Sequence, residues 1–254
     1  MRQSQSAEDA ANHFRQQAWC AQILDAPGTI YALHSGRTAR SEDSERMQSQ
    51  DQLMYTALNN EDAVPNILAV YRDPEGPVAS PASSSPPTSN ENTGKSLRFP
   101  INAVSLMADL RDNVRGFNGY VHGGFLGTIM DEAMGTLIFT NYEYQAKKDD
   151  EADAEAERRG VKSTGWTVPP GIVDLRTGGL TMTASMKVSF RRPVSTPSTI
   201  LTTASFNRLE GRKIFIDVAI RNEEGTVCTT CEGMWVSQAP MFKPTSEEAT
   251  ASKL

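Results

Sequence analysis

Cysteine is scarce in this chain. Three in 254 residues, Cys20, Cys228 and Cys231, are too few for a disulfide scaffold and fit a reducing or intracellular compartment. An excess of basic charge is missing as well. The formal charge is −6, which leaves no basic footprint for nucleic acid but does not exclude a local basic rim for an anionic ligand. No run of about 18 apolar residues occurs, so no membrane span is expected. The opening MRQSQSAEDAANHF is polar and acidic. It lacks both the apolar centre of a signal peptide and the Arg-rich bias of a transit peptide. No Gly-x-Ser-x-Gly elbow supports a serine nucleophile. Neither a P-loop nor a dinucleotide glycine fingerprint is present. Cys228-x-x-Cys231 places its sulfurs on opposite faces of a strand. It has no second Cys or His pair to complete a zinc site, so it is read as structural and no metal is expected. His13 and His34 are read as isolated and exposed.

What is present falls into four stretches. Residues 1–72 read as a partly helical N-terminal extension, with Phe14, Ala18 and Ile23 near helical spacing ahead of Pro27-Gly28. Order returns through Leu53, Leu58 and Ile67 to Val70. Residues 73–96 are rich in Pro, Ser, Asn and Gly, a composition that builds no core and reads as a flexible linker. From 97 to 240 the pattern is that of a folded domain. INAVSLMADL reads as a strand, and Phe125 to Phe139 as a long buried helix. Four strand-like segments follow, beginning LTMTASMKVSF, TILTTASFNRL, KIFIDVAIRN and TVCTTCEGMWVSQ, separated by Pro193 and Pro197, Glu210-Gly211 and Glu224-Gly225. A charged insert at 146–177 interrupts the order and is either a solvated helix or a loop. An antiparallel sheet wrapped around one central helix, an α+β layout, satisfies this succession. Residues 241–254 are a polar tail ending in Ser252, Lys253 and Leu254. That tripeptide is an address read by the peroxisomal import receptor, so the peroxisomal matrix is the expected location.

One stretch breaks local rules. GYVHGGFLGTIMDEAMG, Gly119 to Gly135, puts glycines, a histidine and an Asp-Glu pair into an otherwise apolar run. Such conflicts cluster at functional sites. His122-Gly123-Gly124 stands where the long helix begins. The first N–H groups of a helix lack intrahelical partners, and glycine lets a ligand approach them closely. With the helix dipole they make a site for a polarised carbonyl oxygen, unless the glycines serve only a tight turn. Asp131 lies nine residues on, about half a turn around and about 13 Å along the axis, so it cannot act beside the glycines of its own helix. An unpaired carboxylate between Ile129-Met130 and Ala133-Met134 is costly. Either local hydrogen bonds satisfy it or it serves a site completed by another chain. Glu132 is read as the solvated member of the pair.

VHGGFLGTIMDEAMG resembles the H-G-G-x6-D-x3-G signature of hotdog-fold thioesterases, and GGLTMTASMKVSFRRPV and LEGRKIFIDVAIRNEEGTV extend the likeness. The relatives it resembles include mitochondrial long-chain acyl-CoA thioesterases and fungal proteins with H-G-G and an Asp-Glu pair. The resemblance covers about residues 100–238 without 146–177. It implies a hotdog fold and hydrolysis of an acyl-CoA thioester to acid and coenzyme A without a separate cofactor. It further implies a homodimer or dimer of dimers, in which each site takes the helix start of one subunit and the helix carboxylate of the other. In that arrangement Gly123 or Gly124 polarises the carbonyl, and His122 positions the turn or the substrate sulfur. Asp131 acts as general base or as nucleophile, and Thr183 assists by holding the water. Arg191, Arg192, Arg212 and Lys213 are candidates for the coenzyme phosphates. Gly116 stands where some relatives carry asparagine, and Asn118 is given no role. The insert, with Trp166 and Val168-Pro169-Pro170, is a lid over an acyl pocket or a disordered loop. Two other functions share the fold: release of a polyketide or other specialised acyl chain, and silent binding of coenzyme A.

Overall fold

The computed structural model describes residues 6–37, 52–76 and 97–241. Residues 38–51, most of the Pro/Ser-rich stretch and the Ser252-Lys253-Leu254 tripeptide lie outside these residues. Two short helices open the described chain, α1 (Ala7–Arg15) and α2 (Ala18–Leu24), followed by strands β1 (Thr29–Leu33) and β2 (Ile67–Arg72). Then come β3 (Ala103–Leu110), a small hairpin of β4 (Arg115–Phe117) and β5 (Tyr120–Val121), and the long helix α3 (Gly123–Arg158). Four strands complete the chain: β6 (Thr181–Phe190), β7 (Ser198–Glu210), β8 (Lys213–Arg221) and β9 (Val227–Ser237).

Seven strands form one antiparallel sheet in the order β1-β2-β3-β7-β8-β9-β6. This is the expected sheet wrapped on a helix. Leu126, Ile129, Met130, Ala133, Met134 and Leu137 of α3 recur every three or four residues and are buried against it. From the sheet, Val104, Leu106, Ile214, Ile216 and Cys231 meet them in one core. Gly233 of β9 is bare because Met134 occupies the space where a Cβ would stand. Two buried amides fasten irregular chain to the helix. Asn141 accepts from the Ile101 N–H and donates to the Ile101 carbonyl, both at 2.8 Å. Gln145 does the same for Leu175 N–H and the Val173 carbonyl, at 2.9 and 2.7 Å. Each backbone group is satisfied where no strand could reach it.

The residues before 97 do more than extend the fold. They supply β1 and β2, and β2 is paired residue for residue with β3. Period two then puts Leu68, Val70 and Met107 on the face away from α3, where Phe14, Cys20 and Leu24 cover them. Within the charged insert, α3 runs on as a solvated helix to Arg158. The following loop is not free. Asp149 accepts from the Trp166 N–H at 2.7 Å and meets Arg176 at 2.6 Å, and that guanidinium lies over the Trp166 ring at 5.4 Å.

The two early histidines depart from the sequence reading. His13 Nε2 is 3.1 Å from Asp109 Oδ2, and buried His34 lies 3.3 Å from Glu132 Oε2. Glu132 is therefore a partnered, largely covered carboxylate rather than a solvated one. The partners are about 100 residues apart in sequence, so nothing local signals them.

Candidate active site

The start of α3 is built by its own sequence. His122 is the N-cap in extended conformation, and its Nδ1 accepts from the Gly124 N–H at 2.9 Å. The ring therefore carries its proton on Nε2. A Cβ at Gly124 would stand 2.9 Å from that nitrogen, so glycine permits the cap. Of the two glycines, Gly124 has its N–H engaged. The Gly123 N–H has no acceptor among the described residues. The exposed Phe190 ring lies over Gly123, 3.3 Å from where a Cβ would be.

Asp131 and Thr183 meet. The Thr183 hydroxyl donates to Asp131 Oδ1 at 2.7 Å, joining β6 to α3. Asp131 is half-buried. Burial pushes its carboxyl above the ordinary aspartate range and Glu132 beside it adds to the rise, while the Thr183 hydrogen bond opposes them. A carboxylate so placed is a stronger base than a solvated one. Eight residues of helix separate it from Gly123, about 12 Å along the axis. One chain cannot bring both groups to one carbonyl.

The four cations divide into two places. Arg191 and Arg192 follow β6 and both donate their N–H groups to the Cys228 carbonyl, at 2.8 and 2.9 Å, near the helix start. Arg212 and Lys213 form the β7–β8 turn, where Ser237 donates to the Arg212 carbonyl at 3.0 Å. Cys228 and Ser237 lie near opposite ends of β9, so the pairs stand about 30 Å apart on one chain. All three cysteines are buried free thiols, and burial pushes Cys20 up to about 12 and Cys231 up to about 11. Neither is a ready nucleophile at neutral pH. Trp166 packs edge-on to Tyr144 at 6.2 Å, whereas Leu175 is the insert residue that reaches the apolar groove beyond Asp131. Sequence reasoning missed that groove. Its lining comes from α3, β6, β9 and the segment before β6, which only the fold brings together.

The family model described as Thioesterase superfamily matches residues 118–229, from just before His122 to the start of β9. Verlamelin biosynthesis protein B of a Lecanicillium species is 26% identical over 195 residues, covering 76% of this chain and 74% of that protein. Acyl-coenzyme A thioesterase THEM4 of Bos taurus is 24% identical over 128 residues. That match covers 50% of this chain and 38% of the bovine protein, so the chain spans well under half of that relative. Among solved structures, a hypothetical thioesterase protein with coenzyme A from Streptococcus pneumoniae is 12% identical, with a TM-score of 0.39 over 58% of this chain and 85% of that one.

Proposed function

We propose that this protein hydrolyses acyl-CoA thioesters to free acid and coenzyme A at a site shared by two copies of the chain. The observation that carries the reading is the Thr183 hydroxyl on a half-buried Asp131 carboxylate of raised basicity. The thioester carbonyl oxygen is held by the Gly123 N–H of one copy, and Asp131 of the other faces the carbonyl carbon. As general base, Asp131 takes a proton from water while the water oxygen bonds to carbon. The oxyanion collapses, the C–S bond breaks, and the coenzyme A sulfur takes up the proton. As nucleophile, Asp131 instead bonds to the carbonyl carbon and expels the thiolate, and water then cleaves the mixed anhydride. The separation of Gly123 from Asp131 along α3 is the reason for two copies. An antiparallel side-by-side pair also brings Arg191-Arg192 of one copy toward Arg212-Lys213 of the other, at the two ends of a coenzyme A path. No metal or redox group enters the step.

The Lecanicillium relative, which covers more of this chain than THEM4 does, is named for a biosynthetic pathway. That favours release of a specialised acyl chain as the second reading. Coenzyme A release from a panel of acyl-CoAs, with wild type beside Asp131→Asn, tests the proposal. Turnover lost in a folded variant supports it, and equal rates remove Asp131 from the chemistry. Peroxisomal import through Ser252-Lys253-Leu254 is part of the proposal. A fluorescent reporter carrying residues 240–254, with and without the last three, tests it: equal distributions of the two reporters defeat it.

A further inference from the structure

We propose that the groove along α3 beyond Asp131 holds a linear acyl chain and sets the substrate class at about nine to twelve carbons. This rests on the thioesterase reading above. The groove has a volume of about 280 Å³ and is lined mainly by apolar groups, among them Gly135, Phe139, Tyr142, Leu175, Leu180 and Trp235. It continues the reacting pair on both sides. Gly135 is one helical turn after Asp131 on the same face. Trp235 lies directly opposite Thr183 in the β6–β9 register, so the two side chains share a face.

Phe139, Tyr142 and Leu180 are 41%, 48% and 59% exposed, a run of apolar surface that an acyl chain would cover. Gly135 keeps the entrance open. A Cβ there would stand 3.3 Å from Trp235 Cη2, already tighter than ordinary contact, so a larger side chain would fill the first turn of the groove.

Two measures fix the length. Asp131 to Tyr142 is eleven residues of helix, roughly 16 Å. An extended hydrocarbon with C–C bonds of about 1.5 Å advances roughly 1.3 Å per carbon, which gives about twelve carbons. At roughly 30 Å³ for each water-sized group, the volume takes about nine methylenes. Both agree on a medium-length chain and exclude acetyl and octadecanoyl groups as best substrates.

The test measures kcat/KM of the full chain on straight acyl-CoAs from four to eighteen carbons, for wild type, Gly135→Leu and Tyr142→Ala. Binding of the same series to Asp131→Asn is measured by calorimetry. Wild-type kcat/KM should rise by up to about fourfold per added methylene and level off near twelve carbons. Gly135→Leu should lower the dodecanoyl-to-butanoyl ratio at least tenfold, and Tyr142→Ala should move the optimum to longer chains. A flat profile, an optimum at four or eighteen carbons, or unchanged profiles in both variants overturns the groove assignment while leaving the hydrolase reading intact. If nothing is turned over but Asp131→Asn binding still rises to twelve carbons and levels there, the groove stands and the hydrolase reading falls. Neither turnover nor length-dependent binding overturns both. Should Gly135→Leu not fold, the Tyr142→Ala shift decides.

Discussion

Thr183 reaches Asp131 across 52 residues of sequence, donating its hydroxyl to one carboxylate oxygen at 2.7 Å. The bond stabilises the charged form of a carboxyl that burial otherwise disfavours. Removing it should therefore raise the carboxyl pKa further. Thr183→Val is expected to lower kcat/KM about tenfold at neutral pH and to shift the acid limb of its pH profile upward. Thr183→Ser should restore both. A loss of rate with an unshifted limb, or no rescue by serine, would mean that Thr183 does not act through Asp131.

Asp131→Asn separates function from stability. The folded-state pKa of Asp131 is raised above its unfolded value. Its contribution to stability is thus fully present below the unfolded pKa and is lost as pH rises through the folded one. At pH 7 the charge is a burden on the fold. The asparagine variant should lose about 10²- to 10⁴-fold in kcat and yet melt a few degrees higher at pH 7, with the gain vanishing toward pH 3. Thermal melts across that range check the sign. A variant that melts lower at pH 7 than wild type would show that the carboxylate is stabilised, contrary to its surroundings.

The proposed reaction gives His122 two separable tasks. Its Nδ1 caps α3 through the Gly124 N–H, and its Nε2–H is there assigned to the substrate. His122→Ala should cost about 1 kcal/mol of stability together with activity. His122→Asn supplies a capping oxygen and should recover the stability alone. Recovery of activity as well would reduce His122 to a cap. Urea unfolding beside kcat/KM for the two variants distinguishes the cases.

The central helix and the four strands after it were legible because they are long, strongly patterned and bounded by Gly and Pro turns. Asp131 was singled out by the motif around His122, and Thr183 by the likeness of the GGLTMTASMKVSFRRPV segment. Hydrogen-bond partnership at close range was not. Sequence left Gly123 and Gly124 equivalent, and the cap by His122 distinguishes them. Contacts of long sequence separation were also hidden. Nothing in TIYAL announces that Thr29–Leu33 pairs with Leu68–Arg72. Nothing near His34 points to Glu132. A five-residue strand carries too little periodicity to be told from a loop, and its stability comes from partners the sequence does not name.

The same non-local packing yields a last prediction. Phe14 is fully buried in the cluster that joins α1 and α2 to Leu68, Val70 and Met107 on the sheet face away from α3. If the N-terminal residues are part of the domain, that cluster is core, and Phe14→Ala should cost about 3–5 kcal/mol. The loss should appear in one cooperative transition, with activity and sheet structure lost together in urea. An appended unit would behave differently, showing a separate early transition and a rate per folded molecule unchanged by the substitution. The register of β2 with β3 argues for the first outcome. Unseating α1 bares Leu68 and Met107, and those residues alternate along the same two strands with Ile67, Ala69, Leu106 and Ala108, which pack in the core beneath α3.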